Sequence, residues 1–249
     1  MEKIIEDVAE NVKSIDVKDK KKKVVLAVPG KWFSSKFLVS WTSTLNAIWE
    51  SAKYDIVISP GVSSYVTFAR MQTLGLSNLR GIDQKPFDGI DFDIWLTIDS
   101  DIIFTPQNLI DLLDATEHHS VVSGIYRMSD LKHFATVRNW DVDYFRKQGN
   151  FNYLRQEDVD EWSKANSNEK FMKVVYTGMG FMACTKKALY DMSYPYFHSE
   201  LQEFRGTDGK LIREMCSEDV AFCKNLEKAG HSVYIIPSLR VGHEKDLVI

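Results

Sequence analysis

The sequence is short of several things, and each shortage removes a class of function. It holds three cysteines, Cys184, Cys216 and Cys223, with no CxxC spacing. An odd, unclustered set reads as neither a disulfide framework nor a thiolate zinc site, and buried free thiols in a reducing compartment are the simpler reading. There is no excess of positive charge: the formal net charge is -4, whereas a domain that lives on nucleic-acid phosphates is usually basic. No nucleic-acid partner is expected. No apolar run approaches the length of a bilayer span, and residues 1–13 carry no basic stretch leading into an apolar one, the mark of a secretory signal. The expectation is a cytoplasmic protein with no transmembrane segment.

What is present suits one α/β domain with a core. Hydrophobic residues make up 44% and charged residues 27% of the 249, which argues against global disorder. Ile4, Ile5, Val8, Val12 and Ile15 stand at helical spacing. The lysines at 18 and 20–23 follow, read as a solvated linker or as a surface peripheral to an anionic membrane. Residues 1–23 are thus an N-terminal helix and linker, and 24–249 the domain proper. Strands are expected at 24–28, stopped by Pro29 and Gly30, then at 55–59, 93–98, 120–125 and 231–236. Helices are expected between them, at 35–52, 63–74, 106–115, 186–192 and 217–229. Thr105 is placed to cap the third of these, with Pro106 in its first turn. The alternation predicts a mostly parallel central sheet flanked by helices. After Ile125 the rhythm breaks; 126–170 reads as polar and aromatic with extended pieces, and 193–216 as irregular.

Three patterns carry chemistry. An apolar strand, Ile94-Trp95-Leu96-Thr97-Ile98, runs into Asp99-Ser100-Asp101. Ligands of open α/β sheets bind outside the carboxyl ends of strands, where these acids lie. If the chain stays extended there, the spacing puts both acids on one face. Two close carboxylates repel and suit a hard cation such as Mg²⁺ or Mn²⁺; an Asx-rich turn ahead of Thr105 is the competing account. The second pattern is Ser217-Glu218-Asp219 at a helix start, where the dipole alone favours acids and Ser217 would cap. The third is His243, after Gly242 late in the chain.

Taken in order, these residues, with the strand ending at Pro29, the pair Ala69-Arg70 and the turn Gly178-Met179-Gly180-Phe181, resemble the GT-A glycosyltransferases, family 2-like and DxD-containing. The resemblance runs from about Val24 to His243. It implies a Rossmann-like nucleotide half over 24–125 and an acceptor half over 126–249. It further implies that Pro29 touches the base of a nucleotide-sugar donor, a UDP- or GDP-sugar. Arg70 would approach its ribose or diphosphate, and Ser100 lets it come close. Asp99, Asp101 and His243 would hold Mn²⁺ or Mg²⁺. Gly178 and Gly180 would line the sugar pocket. Asp219 would be the catalytic base of an inverting transfer, helped by Glu218, to a saccharide, lipid-linked or protein acceptor. One departure stands out: Ser59-Pro60 follows the second strand where the family often carries a base-reading acid. A retaining transferase and a catalytically inactive nucleotide-sugar-binding module are the alternatives. A phosphatase is disfavoured because the first strand carries no acid, and a nucleotidyltransferase because 29–32 is not glycine-rich. On an amphipathic helix Arg70 could equally be an exposed surface arginine, and the segment 207–210 is expected to be mobile until a ligand orders it.

Overall fold

A computed structural model describes residues 21–245. The N-terminal helix expected at residues 4–15 lies outside the described residues, as does the lysine linker up to residue 20. The first strand, β1 (Lys22–Pro29), begins two residues before the boundary read at Val24. It alternates strictly between the faces of the sheet. Val24, Leu26 and Val28 join one apolar cluster, and Val25 and Ala27 the other, as the period of a pleated strand requires.

Seven strands form the central sheet in the order β2 (Tyr54–Gly61), β1, β3 (Ile94–Ile98), β10 (Phe181–Thr185), β5 (Val121–Ile125), β13 (Val233–Arg240) and β8 (Met172–Val174). On one side lie α1 (Ser35–Ser51) and α3 (Pro106–Ala115), whose Ile48, Leu109, Leu112 and Leu113 are sealed from solvent. On the other lie α2 (Val66–Thr73), α6 (Lys186–Asp191) and α7 (Glu218–Lys228), with Phe222 stacked on Phe197 beneath Trp95.

The sheet is not mostly parallel. β1 pairs in parallel with β2 and β3, and β13 with β5, but β10 runs antiparallel to both β3 and β5, and β8 antiparallel to β13. The reason lies in the route of the chain. After β5 it leaves at the carboxyl edge, adds β8 at the margin of the sheet, and enters β10 at that same carboxyl edge, with Phe181 opposite Ile98. A strand that enters where its neighbours end must run against them.

The stretch 126–170 is also more ordered than its composition suggests. It supplies β6 (His133–Val137), α4 (Val142–Gln148), β7 (Tyr153–Arg155) and α5 (Gln156–Ala165), and β6 and β7 form a small sheet with β9 (Tyr176–Thr177). Of residues 193–216, only 193–199 are irregular: β11 (Glu200–Arg205) and β12 (Leu211–Cys216) make a hairpin. Its tip, 207–210, is tied to α4, where Arg146 pairs with Asp208 at 2.7 Å and the Thr207 hydroxyl donates to Asp143. β13 continues through Pro237, with a register shift between Ile235 and Arg240 that accommodates a residue lacking an N–H.

Thr105 closes a full capping box. Its hydroxyl accepts from Asn108 N at 3.2 Å, and Asn108 Oδ1 accepts from Thr105 N at 2.9 Å. Thr105→Ala removes one of these bonds at the end of α3 and should cost about 1 kcal/mol. Urea unfolding should show a lower midpoint at unchanged slope; an unmoved midpoint would mean that solvent satisfies the freed N–H equally well.

Candidate active site

The acids at 99 and 101 do not share a strand face. The chain leaves β3 at Ile98 and turns, with Ile102 N donating to Asp99 O at 3.0 Å. It re-enters as β4 (Ile102–Ile103), which pairs antiparallel with β14 (Gly242–His243), Ile102 opposite His243. The two carboxylates stand on a turn rather than on a strand, and each finds its own partners.

Asp99 meets Arg70. The guanidinium forks onto both carboxylate oxygens, each at 3.0 Å. The same guanidinium donates through Nε to Glu218 at 3.3 Å and through Nη1 to Thr97 Oγ1 at 3.4 Å. Arg70 is only 4% exposed, so it is not a surface arginine. Burial by itself would lower its pKa, but Asp99 first, and then Glu218, outweigh burial and raise it. Glu218 responds differently. Burial and the neighbouring Asp219 push its carboxyl up, and Arg70 offsets only part of that.

Asp101 meets His243, with Nε2 3.2 Å from Oδ2, and Lys245 approaches the same oxygen. Burial would raise this carboxyl, but the contacts with His243 and Lys245 prevail and hold it at about 2. The other imidazole nitrogen, Nδ1, lies 2.7 Å from the Arg127 carbonyl oxygen. A carbonyl can only accept, so Nδ1 carries the proton. Nε2 then faces the carboxylate, where either a proton on that nitrogen or a metal cation joins the two groups.

Asp219 lies one residue past Glu218 on α7. Ser217 does not cap the helix with its side chain; its hydroxyl donates to Asp219 Oδ1 instead, while the Tyr176 hydroxyl donates to Oδ2 at 2.8 Å. Burial, then Asp219, raises the Tyr176 phenol well above the usual range, which keeps it a donor. Tyr126 joins the two halves of the site. Its hydroxyl accepts from Gly180 N at 3.0 Å, its ring meets His243 edge-on at 4.8 Å, and its phenol is raised by burial, then by Asp99 and, more weakly, Asp219.

The glycines are explained by this tyrosine. A Cβ on Gly178 would come within 2.2 Å of Tyr126 Oη, and one on Gly180 within 2.9 Å. Both glycines are buried under the ring. Pro29 is buried as the last residue of β1, and Gly30 abuts Ser100, where a Cβ would approach to 2.8 Å. Among the described residues, no three His, Cys, Asp or Glu side chains stand together as a ready cation site. Asp101 and His243 are paired, whereas Asp99 is held by Arg70. Tyr176 and Lys245 carried no sequence signal. Tyr126 registers in the sequence only as one aromatic among many, although its place directly after β5, at the carboxyl edge, is legible.

No known protein-family profile matches the sequence, and no curated protein matches it. Solved structures do resemble the fold. The crystal structure of A197 from STIV aligns over 92% of this chain and 96% of that one, at 14% identity and a TM-score of 0.46. The crystal structure of GalNAc-T7 with UDP, GalNAc and Mn²⁺ aligns over 91% of this chain at 10% identity and a TM-score of 0.50. This chain spans 43% of that protein's length. At such identity the likeness is one of fold: a mixed α/β domain on a seven-stranded, partly parallel sheet.

Proposed function

We propose that this chain is a metal-dependent GT-A glycosyltransferase that moves a sugar from a nucleotide diphosphate to an acceptor hydroxyl, with inversion. The observation that carries this reading is the Asp101–His243 pair. The imidazole is oriented by a backbone carbonyl on Nδ1, and its Nε2 faces a carboxylate 3.2 Å away. Histidines that bind metals are commonly held in this way through the other nitrogen. The oxygen and nitrogen donors fit Mn²⁺ or Mg²⁺, and Asp99 would join them only by giving up its fork with Arg70. Further support comes from the fold shared with GalNAc-T7, whose crystal structure holds UDP, GalNAc and Mn²⁺.

When bound, the cation would offset the charge that develops on the leaving diphosphate. The chain's own acids divide the remaining work. Glu218 is committed to Arg70 and positions it. Asp219, held by Tyr176 and Ser217, is the group that takes the acceptor's proton. Ser100 and Gly30 form the close-set floor beside the donor, and Tyr126 shapes the wall between donor and acceptor. One observation favours a second reading: both oxygens of Asp219 already accept hydrogen bonds. A retaining enzyme, or a binding module without turnover, would have no need of that carboxylate as a base. Among the described residues no helix is long and apolar enough to cross a membrane.

Calorimetry with UDP and GDP tests the donor site. Binding should require Mn²⁺ or Mg²⁺, and Asp101→Ala and His243→Ala should each weaken it about ten- to a hundredfold. Equal affinity with and without metal, or in both variants, contradicts the assignment.

A further inference from the structure

Beside Asp219 lies a cavity of about 220 Å³ that the mechanism above does not use. It sits between the β11–β12 hairpin, α4 and α7, and its walls are mainly apolar: Trp140, Phe145, Phe151, Phe204, Met215 and Val220. It opens to solvent beside the exposed Met215. It is held open by its frame. The hairpin is pinned at its tip through Arg146–Asp208, and along its length by the Phe145–Phe204 ring contact at 5.4 Å.

The cavity adjoins the proposed base by two routes. Val220 follows Asp219 directly on α7. Trp140 stacks at 6.5 Å on Tyr176, whose hydroxyl holds Asp219. We propose that the cavity binds an uncharged, ring-sized apolar group, and that this group is the aglycone of the acceptor. The second half rests on the transferase reading above. The size comes from comparison with an engineered apolar cavity of about 150 Å³ that takes benzene, so the larger space here accommodates one substituted ring. A ring suits the walls better than an alkyl chain, because four aromatic side chains and a thioether offer edge-to-face and sulfur contacts. The lining disfavours an anionic substituent, because Asp141, Glu203 and Glu214 outnumber Lys224, and the apolar walls favour an uncharged one. Lys224 is itself engaged, lying over the Trp140 ring and bonded to Gln202. An anionic substituent would meet repulsion without a free partner.

The probes are phenyl, 4-carboxyphenyl, hexyl and methyl glycosides of common hexoses, titrated onto the full chain and followed by tryptophan fluorescence. The phenyl compound of at least one sugar should bind about ten- to a hundredfold more tightly than its methyl counterpart, the gain expected from burying one ring. It should also bind more tightly than the carboxyphenyl and hexyl compounds. Met215 is exposed at the cavity, so Met215→Glu should leave the fold intact and abolish the phenyl preference; Phe145→Ala supplies a second variant that enlarges the space. Equal binding of phenyl and methyl glycosides overturns the proposal even if the chain transfers sugar. A phenyl preference in binding without any transfer to the bound glycoside overturns the acceptor role and leaves an apolar-ring site, while the transferase reading is decided separately by the metal-dependent nucleotide binding described above.

Discussion

Asp219→Asn should lower turnover about a hundredfold or more and leave nucleotide affinity nearly unchanged. The substitution keeps the shape of the side chain and removes its capacity to take a proton. Its neighbours make the test a clean one. Tyr176 and Ser217 both donate to the carboxylate, and an amide oxygen can still accept one of these bonds. The Asp101–His243 pair and the Arg70 cluster involve other atoms and should not move, so metal-dependent binding of UDP or GDP serves as the internal control. Glu218→Gln is the companion variant. Because Glu218 holds Arg70, its loss should be felt in stability as well as in turnover. Normal turnover of Asp219→Asn, or a product that keeps the donor's anomeric configuration, would remove Asp219 as the base and favour the retaining reading.

Arg70→Ala should destabilise the fold by about 3–5 kcal/mol, the cost of removing one partner from a buried charged cluster. For a chain of this size that corresponds to a fall in Tm on the order of 10 °C. Arg70 joins the Asp99 that follows β3 to the Glu218 that opens α7, so it ties the proposed donor half to the acceptor half. Without it, two partly buried carboxylates face each other with no cation. Arg70→Lys should recover only part of the loss, because an ammonium cannot fork onto Asp99 while also reaching Glu218 and Thr97. Thermal melts of both variants measure this directly. An unchanged Tm in Arg70→Ala would mean that water already screens the cluster, and the site would then be more open than its burial indicates.

Much of the frame is legible from neighbouring residues alone. The run at 24–28, all apolar, and the run at 93–98, apolar apart from Asp93 and Thr97, read as buried strands, and the sheet holds them as Lys22–Pro29 and Ile94–Ile98. Thr105-Pro106 marks the start of α3 through its hydrogen-bonding capacity and fixed φ, and the cap forms as expected. Asp99, Asp101 and His243 stand out as acids and an imidazole at the ends of apolar strands, and the fold does gather those strand ends at one edge. The hairpin at 200–216 is less legible. Its residues mostly alternate between half-buried and exposed, the side toward the cavity mixes Gln202 and Glu214 with Phe204 and Cys216, and these polar positions mask the period.

By itself the sequence determined the apolar runs of the first and third strands, the capped start of α3, and the acids and imidazole at the strand ends, because these depend on composition and spacing within a few residues. Only the tertiary structure decided the direction of β10, the separation of Asp99 from Asp101, and the partner of each. Those outcomes depend on pairings between distant segments: Phe181 with Ile98, His243 with Ile102, and Arg70 with Asp99 and Glu218. A carboxylate turns toward whichever cation the fold delivers, and that cation comes from a part of the chain whose distance in sequence carries no trace of the contact.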